Sequence, residues 1–109
     1  MARTETKWVY TFDELGASAK ERMKIAVYDN GGETVDRYTF VPLSAKHYPP
    51  YWTRHGYMYT ALACDETPTH PMGFSQFTEC QRGRHLGKRI PLASLPPALR
   101  AHVVARLAP

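Results

Sequence analysis

A polar turn between two strand-forming runs constrains the fold of this chain more than any other feature. The stretch Tyr28–Phe40 reads YDNGGETVDRYTF and contains two adjacent glycines and three carboxylates. It lies between the segments Met23–Tyr28 and Val35–Leu43, whose composition favours β-strands. Glycine adopts the backbone angles that chain reversals require. The stretch therefore predicts a β-hairpin.

The hydrophobic pattern of the two arms limits the register of this hairpin. A tight turn with Asn30-Gly31 at its centre would place Ile25 opposite Asp36, and so set a carboxylate beside a residue that favours the core. A turn centred one residue later pairs Ile25 with Tyr38. A longer loop pairs it with Phe40 and sets the two aspartates that flank the loop opposite each other. Both of these registers collect the apolar side chains on one face, so we favour them over the tight turn.

The rest of the chain alternates between further strand patterns and irregular segments. Bulky residues recur at every second position in Lys7–Phe12 and Tyr57–Cys64, which predicts two more strands. Ser44–Gly56 has two prolines and no periodicity, and we interpret it as an excursion over the surface. The remaining assignments are a loop at Asp65–Pro71, a brief strand or turn at Gly73–Phe77 and another at Ile90–Leu92.

Helix signals occur near both ends of the chain. Ser18 and Glu21 have the spacing of a capping box, which predicts a short helix from about residue 12 or 13 to Arg22. Towards the C-terminus Ser94 is placed as an N-cap, and Pro96 and Pro97 suit a first helical turn. Apolar residues then recur on one side of the second helix: Leu99, Val103, Val104 and Leu107. We expect an α+β fold, with a mostly antiparallel sheet of about four or five strands packed by the C-terminal helix and the short N-terminal helix.

The length and the net charge of the chain limit the number of domains and the kind of partner that we expect. The 109 residues predict one domain over 1–109, and a net charge of +4 with a pI near 9.2 favours acidic partners. No apolar run approaches the roughly 20 residues that span a bilayer, and the start lacks the apolar stretch of a secretion signal. We therefore expect a cytoplasmic protein without membrane contact. In that compartment Cys64 and Cys80 are expected to be free thiols.

Four motifs resemble a family of small uncharacterised proteins encoded by phages, prophages and plasmids. They are YTFDELGASAKER (Tyr10–Arg22), YDNGGETVDRYT (Tyr28–Thr39), HPMGFSQF (His70–Phe77) and GRHLGKRIPLASLP (Gly83–Pro96), and together they cover about half of the chain. The resemblance implies an origin in a mobile element and a place inside the host cell. The segment Leu43–Gly56 is longer and more aromatic than the resemblance leads us to expect, which marks it as the place for a function particular to this protein.

A basic cluster with interspersed glycines is the strongest electrostatic feature. CQRGRHLGKR gathers cationic and imidazole side chains within eight residues: Arg82, Arg84, His85, Lys88 and Arg89. Arginines offer forked donors and glycines let backbone amides approach an oxyanion. With the aromatic residues Tyr48, Tyr51 and Trp52, this cluster predicts a surface that binds nucleic acid or an acidic protein. The alternatives are a solvated basic loop and an aromatic lid over the sheet. The oligomeric state stays open.

A second candidate site is the polar turn itself. Asp29, Asp36 and Arg37 would serve an enzyme or a ligand-binding protein, with a divalent ion as a further alternative. The acids do not follow the spacing of a calcium loop, and the histidines and cysteines match no common zinc motif. No motif of an activated nucleophile surrounds either cysteine. We therefore expect neither metal nor cofactor, and a protein that acts by binding. The favoured role is an accessory protein of a mobile element, for example an inhibitor of a host defence system such as an anti-CRISPR protein.

Overall fold

An antiparallel sheet with one helix on it makes up the described part of the chain. The computed structural model describes residues 8–11, 22–44 and 46–107. Seven strands pair in one sheet, and every pairing is antiparallel. The elements are β1 (Trp8–Thr11), β2 (Arg22–Asp29), β3 (Tyr38–Pro42), β4 (Tyr51–Thr53), β5 (Gly56–Cys64), β6 (Ser75–Cys80), β7 (Lys88–Ile90) and α1 (Pro97–Leu107).

The centre of the sheet consists of β2, β3 and β5. The strand β2 pairs with β3, with β1 through its first residues and with β7 through its last ones. In the same way β5 pairs with β3 and β6 through its second half, and with the short β4 through its first three residues. The antiparallel sheet and the C-terminal helix are confirmed, and the sheet has more strands than the four or five expected. The predicted N-terminal helix lies outside the described residues.

The two faces of the sheet are covered differently. On one, which we call the helix face, apolar residues of β2, β3 and β5 form the main core with α1, and Val27, Phe40 and Leu62 are fully buried there. The four residues predicted to line one side of the helix all point into this core. On the other, which we call the loop face, a smaller cluster of Ala26, Tyr28, Val41 and Ala61 packs against partly buried neighbours that include Leu86 from the loop between β6 and β7.

The hairpin of β2 and β3 forms as predicted but with a different register. Val27 lies opposite Phe40, and Asp29 lies opposite Tyr38, which is two residues beyond the longer loop we favoured. Because side chains alternate with a period of two, this shift leaves the same residues on the helix face. The reason for the longer loop is a backbone bond at its neck, where the Asn30 amide donates to the carbonyl of Arg37 at 3.0 Å.

Two structural assignments made from the sequence were wrong. Ser44–Gly56 is not irregular throughout, because its last part is β4, joined to β5 by a two-residue turn. Ser94 does not cap α1. It ends a short 3-10 turn and its hydroxyl donates to the carbonyl of Pro91 at 2.6 Å, while the helix begins with the bond from the Arg100 amide to the carbonyl of Pro96. The helix begins at Pro97, which has no backbone N–H, so its first turn has one free donor fewer for a cap to satisfy.

The two thiols are free, as predicted. Cys64 is buried in the main core and Cys80 is half-buried beside the loop-face cluster, and burial raises the pKa of both. Within the described ranges, none of the helical segments is both long and apolar enough to cross a bilayer.

Candidate functional site

A row of aromatic rings crosses the loop face of the β4–β5 hairpin. Trp52 lies opposite Tyr57 across the two strands, with ring centroids 4.8 Å apart. Tyr57 meets Tyr59, two positions along the same strand, edge to face at 5.4 Å. The guanidinium of Arg82 lies over the ring of Tyr59, 5.7 Å from its centroid. We call Trp52, Tyr57 and Tyr59 the aromatic ladder, and Arg82 closes its inner end.

Tyrosine side chains hold two of the basic residues against the sheet. The Arg82 Nε donates to the hydroxyl of Tyr28 at 3.1 Å, and the guanidinium of Arg89 lies over the Tyr28 ring at 5.4 Å. Burial acts to lower the pKa of Arg82, but the tyrosine hydroxyls outweigh it and the pKa is raised. Among the contacts described, Arg82 is therefore held by tyrosine side chains and not by a carboxylate.

The tip of the hairpin is tied to the start of the loop between β6 and β7, residues 81–87, which we call the basic loop. Arg54 and His55 form the exposed turn between β4 and β5, and the Gln81 side chain donates to the carbonyl of His55. Gly56 makes this approach possible, because a Cβ at that position would lie 2.1 Å from the Gln81 amide nitrogen. Since Gln81 precedes Arg82, this hydrogen bond places Arg54 and Arg82 at the same end of the sheet.

The structure divides the basic cluster predicted from the sequence. Arg84 and His85 are exposed in a 3-10 turn between β6 and β7. Lys88 and Arg89 are neighbours on β7 and therefore point to opposite faces. Lys88 is opposite Asp29, and its charge contributes to lowering the pKa of that carboxyl. Arg82 thus lies at the start of the basic loop, and Arg84 and His85 follow within it on the way to β7.

The aromatic residues predicted with the cluster are divided as well. Tyr48 packs against the main core, and its hydroxyl donates to the carbonyl of Leu107 at 2.8 Å. Tyr51 is on β4 with its side chain on the face opposite to Trp52, where a hydrogen bond to Glu79 raises its pKa. Trp52 alone of the three belongs to the aromatic ladder.

The second candidate, in the polar turn, is an ion-pair network. Arg37 binds Asp29 with two bonds, Nε to Oδ1 at 2.8 Å and Nη2 to Oδ2 at 3.0 Å, and its third nitrogen donates to Glu66. The bond from Arg37 holds the pKa of Asp29 below its usual value. Asp36 is not part of this network, because its carboxylate accepts from the hydroxyl of Thr34 at 2.5 Å. The Asp29 carboxylate is thus committed to bracing the loop.

A hydrogen-bonded chain of three side chains joins α1 to the sheet, and no sequence pattern indicated it. The thiol of Cys64 donates to Ser75 at 3.6 Å, and the Ser75 hydroxyl lies 2.8 Å from Nε2 of His102. Burial and the charge of Arg106 lower the pKa of His102, which favours the neutral ring. The chain begins at a fully buried thiol and ends on a helix that packs on the sheet, so we interpret it as a structural link. Within the described residues no group of three or more acids, histidines or cysteines is placed to hold a metal ion.

Most of the described carboxylates lie at one end of the sheet. The described part of the chain contains six carboxylates, and five of them lie in or beside the β2–β3 and β5–β6 loops, which share one end: Asp29, Glu33, Asp36, Asp65 and Glu66. The β4–β5 turn and the start of the basic loop lie at the other end, which carries Arg54, His55 and Arg82. We call it the basic end.

No protein-family model, curated protein or solved structure matches this chain. The geometry of the site is therefore the basis for a function. The residues that the sequence did not single out for the surface are Tyr28, Tyr59 and Arg54; the alternation of Tyr57 and Tyr59 along one strand was the signal that could have found the ladder.

Proposed function

We propose that this protein acts by binding an acidic partner through its basic end, as a small accessory protein of a mobile element in the cytoplasm of its host. The docking surface extends from the exposed Arg54-His55 turn over the aromatic ladder and along the basic loop: Arg54, His55, Trp52, Tyr57, Tyr59, Arg82, Arg84 and His85. Inhibition of a host defence complex, in the manner of an anti-CRISPR protein, is the concrete role that we propose for it. The origin in a mobile element depends on the motif resemblance alone.

The observation that supports binding is the fixed position of Arg82. Its guanidinium is held by Tyr28 and Tyr59, which orient it without cancelling its charge. At the opposite end of the sheet Arg37 is paired with two carboxylates. Among the acids of the described residues only Glu79 lies near the basic end, and it is on the opposite face beside Tyr51. A positive region placed in this way attracts an anionic partner and orients its approach.

Binding to a polyanion column tests the proposal. We expect the protein to bind immobilised heparin. The salt concentration needed for elution should fall when Arg54 and Arg84 are both replaced by Gln, because each substitution removes one contact with a sulfate group. Both residues are exposed, so the fold should tolerate the change.

Lys88→Gln is the matched control, because it removes a charge from the same sequence cluster but on the other face, beside Asp29. It should leave the elution position nearly unchanged. If Lys88→Gln lowers the elution position as much as a single Arg54→Gln, general charge is responsible and the basic end is not the site. Failure to bind at low salt would contradict the proposal outright.

A further inference from the structure

We infer that the acidic partner is a single-stranded nucleic acid, with an unpaired base stacked on Trp52. This inference rests on the proposed function and adds the chemistry of the ligand. Trp52 is 77% exposed, although it sits in a regular strand with a paired neighbour. A large aromatic ring held open to solvent beside cationic groups is the arrangement with which proteins bind bases and phosphates together.

The ladder presents this indole in a fixed orientation. Tyr57 supports Trp52 from the adjacent strand and Tyr59 supports Tyr57, so the ring is held by a contiguous set of contacts that ends at Arg82. The two-residue turn that follows β4 is short, which limits the movement of the hairpin. Binding of a base to a ring that is already held in position costs less entropy than binding to a ring that becomes ordered only in the complex.

The hairpin also projects beyond the body of the sheet. Strand β6 pairs with β5 only from Tyr59 onward, so Trp52 and the Arg54-His55 turn lie past the end of β6. Positive charge lies on both sides of the ladder, with Arg54 at the tip and Arg82 at the base. A flexible strand of nucleotides can pass its phosphates along these two arginines while one base turns onto the indole.

The exposed indole favours nucleic acid over an acidic protein. Carboxylates of a protein surface would satisfy the arginines but would offer no aromatic ring to Trp52, whereas every nucleotide carries both a phosphate and an aromatic face. It favours a single strand over a duplex because the bases of a duplex already stack on one another.

Fluorescence anisotropy with labelled probes tests the inference. The probes are a short oligothymidine, the same length of duplex DNA, and poly-glutamate as an acidic polymer without bases. We expect the wild-type protein to bind oligothymidine more tightly than either other probe, and Trp52→Ala to weaken that binding about ten-fold or more. Trp52→Phe should recover most of the affinity, since a smaller ring still stacks.

Phe77→Ala is the matched control. Phe77 is also exposed and also has an arginine over its ring, Arg106 at 5.0 Å, but it lies on β6 outside the ladder. Its replacement should leave the oligothymidine affinity unchanged. Trp52 is on the surface, so thermal unfolding should show all three variants folded.

The outcomes separate this inference from the proposed function. Tight binding of poly-glutamate with no preference for oligothymidine, or an oligothymidine affinity that Trp52→Ala does not change, would overturn base stacking and leave an acidic partner in place. Absence of binding to every probe at low salt would overturn both. Equal binding of duplex and single strand would also count against the inference.

Discussion

Two glycines with positive φ angles show how the surroundings of a single residue decide its tolerance to change. Gly31 has φ of 77° in the polar turn, and a Cβ there would meet nothing within 4 Å. Gly87 has φ of 113°, and a Cβ there would lie 2.4 Å from the carbonyl oxygen of Asp29. The first position requires glycine for backbone conformation alone, and the second requires it also for the close passage of the basic loop past β2.

We therefore predict that Gly87→Ala destabilises the protein more than Gly31→Ala. The Gly31 variant carries only the conformational cost of about 1–2 kcal/mol, whereas the Gly87 variant adds a clash with backbone that cannot rotate away. Urea unfolding of both variants measures the two free energies of unfolding. Equal losses would show that the loop does not approach Asp29 so closely.

A second prediction concerns how much the Asp29 carboxylate stabilises the fold at acid pH. Its pKa lies below the ordinary value of 3.8, first because of the bond from Arg37. The unfolded chain then binds a proton at higher pH than the folded one, so the pair stabilises the fold above about pH 4 and loses its effect as the pH falls through the folded pKa. Asp29→Asn should be less stable than wild type at pH 7, and the difference should shrink at pH 3.

Asp36→Asn is the control for this experiment, since that carboxylate bonds only to Thr34 in the exposed loop among the contacts described. Its difference from wild type should be small at both pH values. A difference between wild type and Asp29→Asn that stays constant from pH 7 to pH 3 would contradict the assigned cause.

At the scale of elements, α1 is attached to the sheet by polar links at its rim as well as by its apolar side. Its last residue accepts a hydrogen bond from Tyr48 across 59 positions of sequence, and His102 contacts Ser75 on β6. The final carbonyls of a helix have no partner within the helix. Tyr48 therefore completes the C-terminal end of α1 and joins the segment before β4 to it.

Tyr48→Phe should lower the free energy of unfolding by about 0.5–1.5 kcal/mol, because the carbonyl of Leu107 loses its donor. The same variant should bind oligothymidine as wild type does, since Tyr48 is packed against the core. Tyr51→Phe removes a hydroxyl from an exposed ring and should cost less. If Tyr48→Phe bound oligothymidine more weakly but had an unchanged free energy of unfolding, Tyr48 would belong to the docking surface and not to the core.

At the scale of the whole molecule, the larger of the two buried apolar clusters in the described residues lies between the sheet and α1. Val103 is fully buried in this layer, while Val35 in the polar turn is 74% exposed. The same chemical change at the two positions thus compares the core with the surface.

Val103→Ala should destabilise by about 2–3 kcal/mol, the sum of lost apolar burial and the cavity that remains. Val35→Ala should change stability by no more than about 0.5 kcal/mol. Thermal or urea unfolding of the pair checks this. A small loss in Val103→Ala would mean that the helix does not dock on the sheet as described.

Most strands and the C-terminal helix could be located from the sequence, whereas the contacts between distant segments could not. The strands around the polar turn, the strand that begins near Tyr57 and the apolar side of α1 followed from periodicity. The short β4 was missed because three residues after two prolines carry no measurable period. The basic cluster was found, but its division was not, since adjacent residues of β7 separate onto two faces only once that segment is a strand.

The sequence by itself determined which residues face the core. Apolar side chains recur at every second position in a strand and at every third or fourth position in a helix, and both patterns are local. A shift of strand register by two residues leaves them unchanged. Tertiary structure alone decided which charges and rings share a surface. Arg82 joins Tyr28 and Tyr59 across more than 20 positions of sequence, and Arg37 reaches Glu66 across 29. Such contacts depend on how the strands pair in space, and no local sequence pattern shows which distant residues will meet.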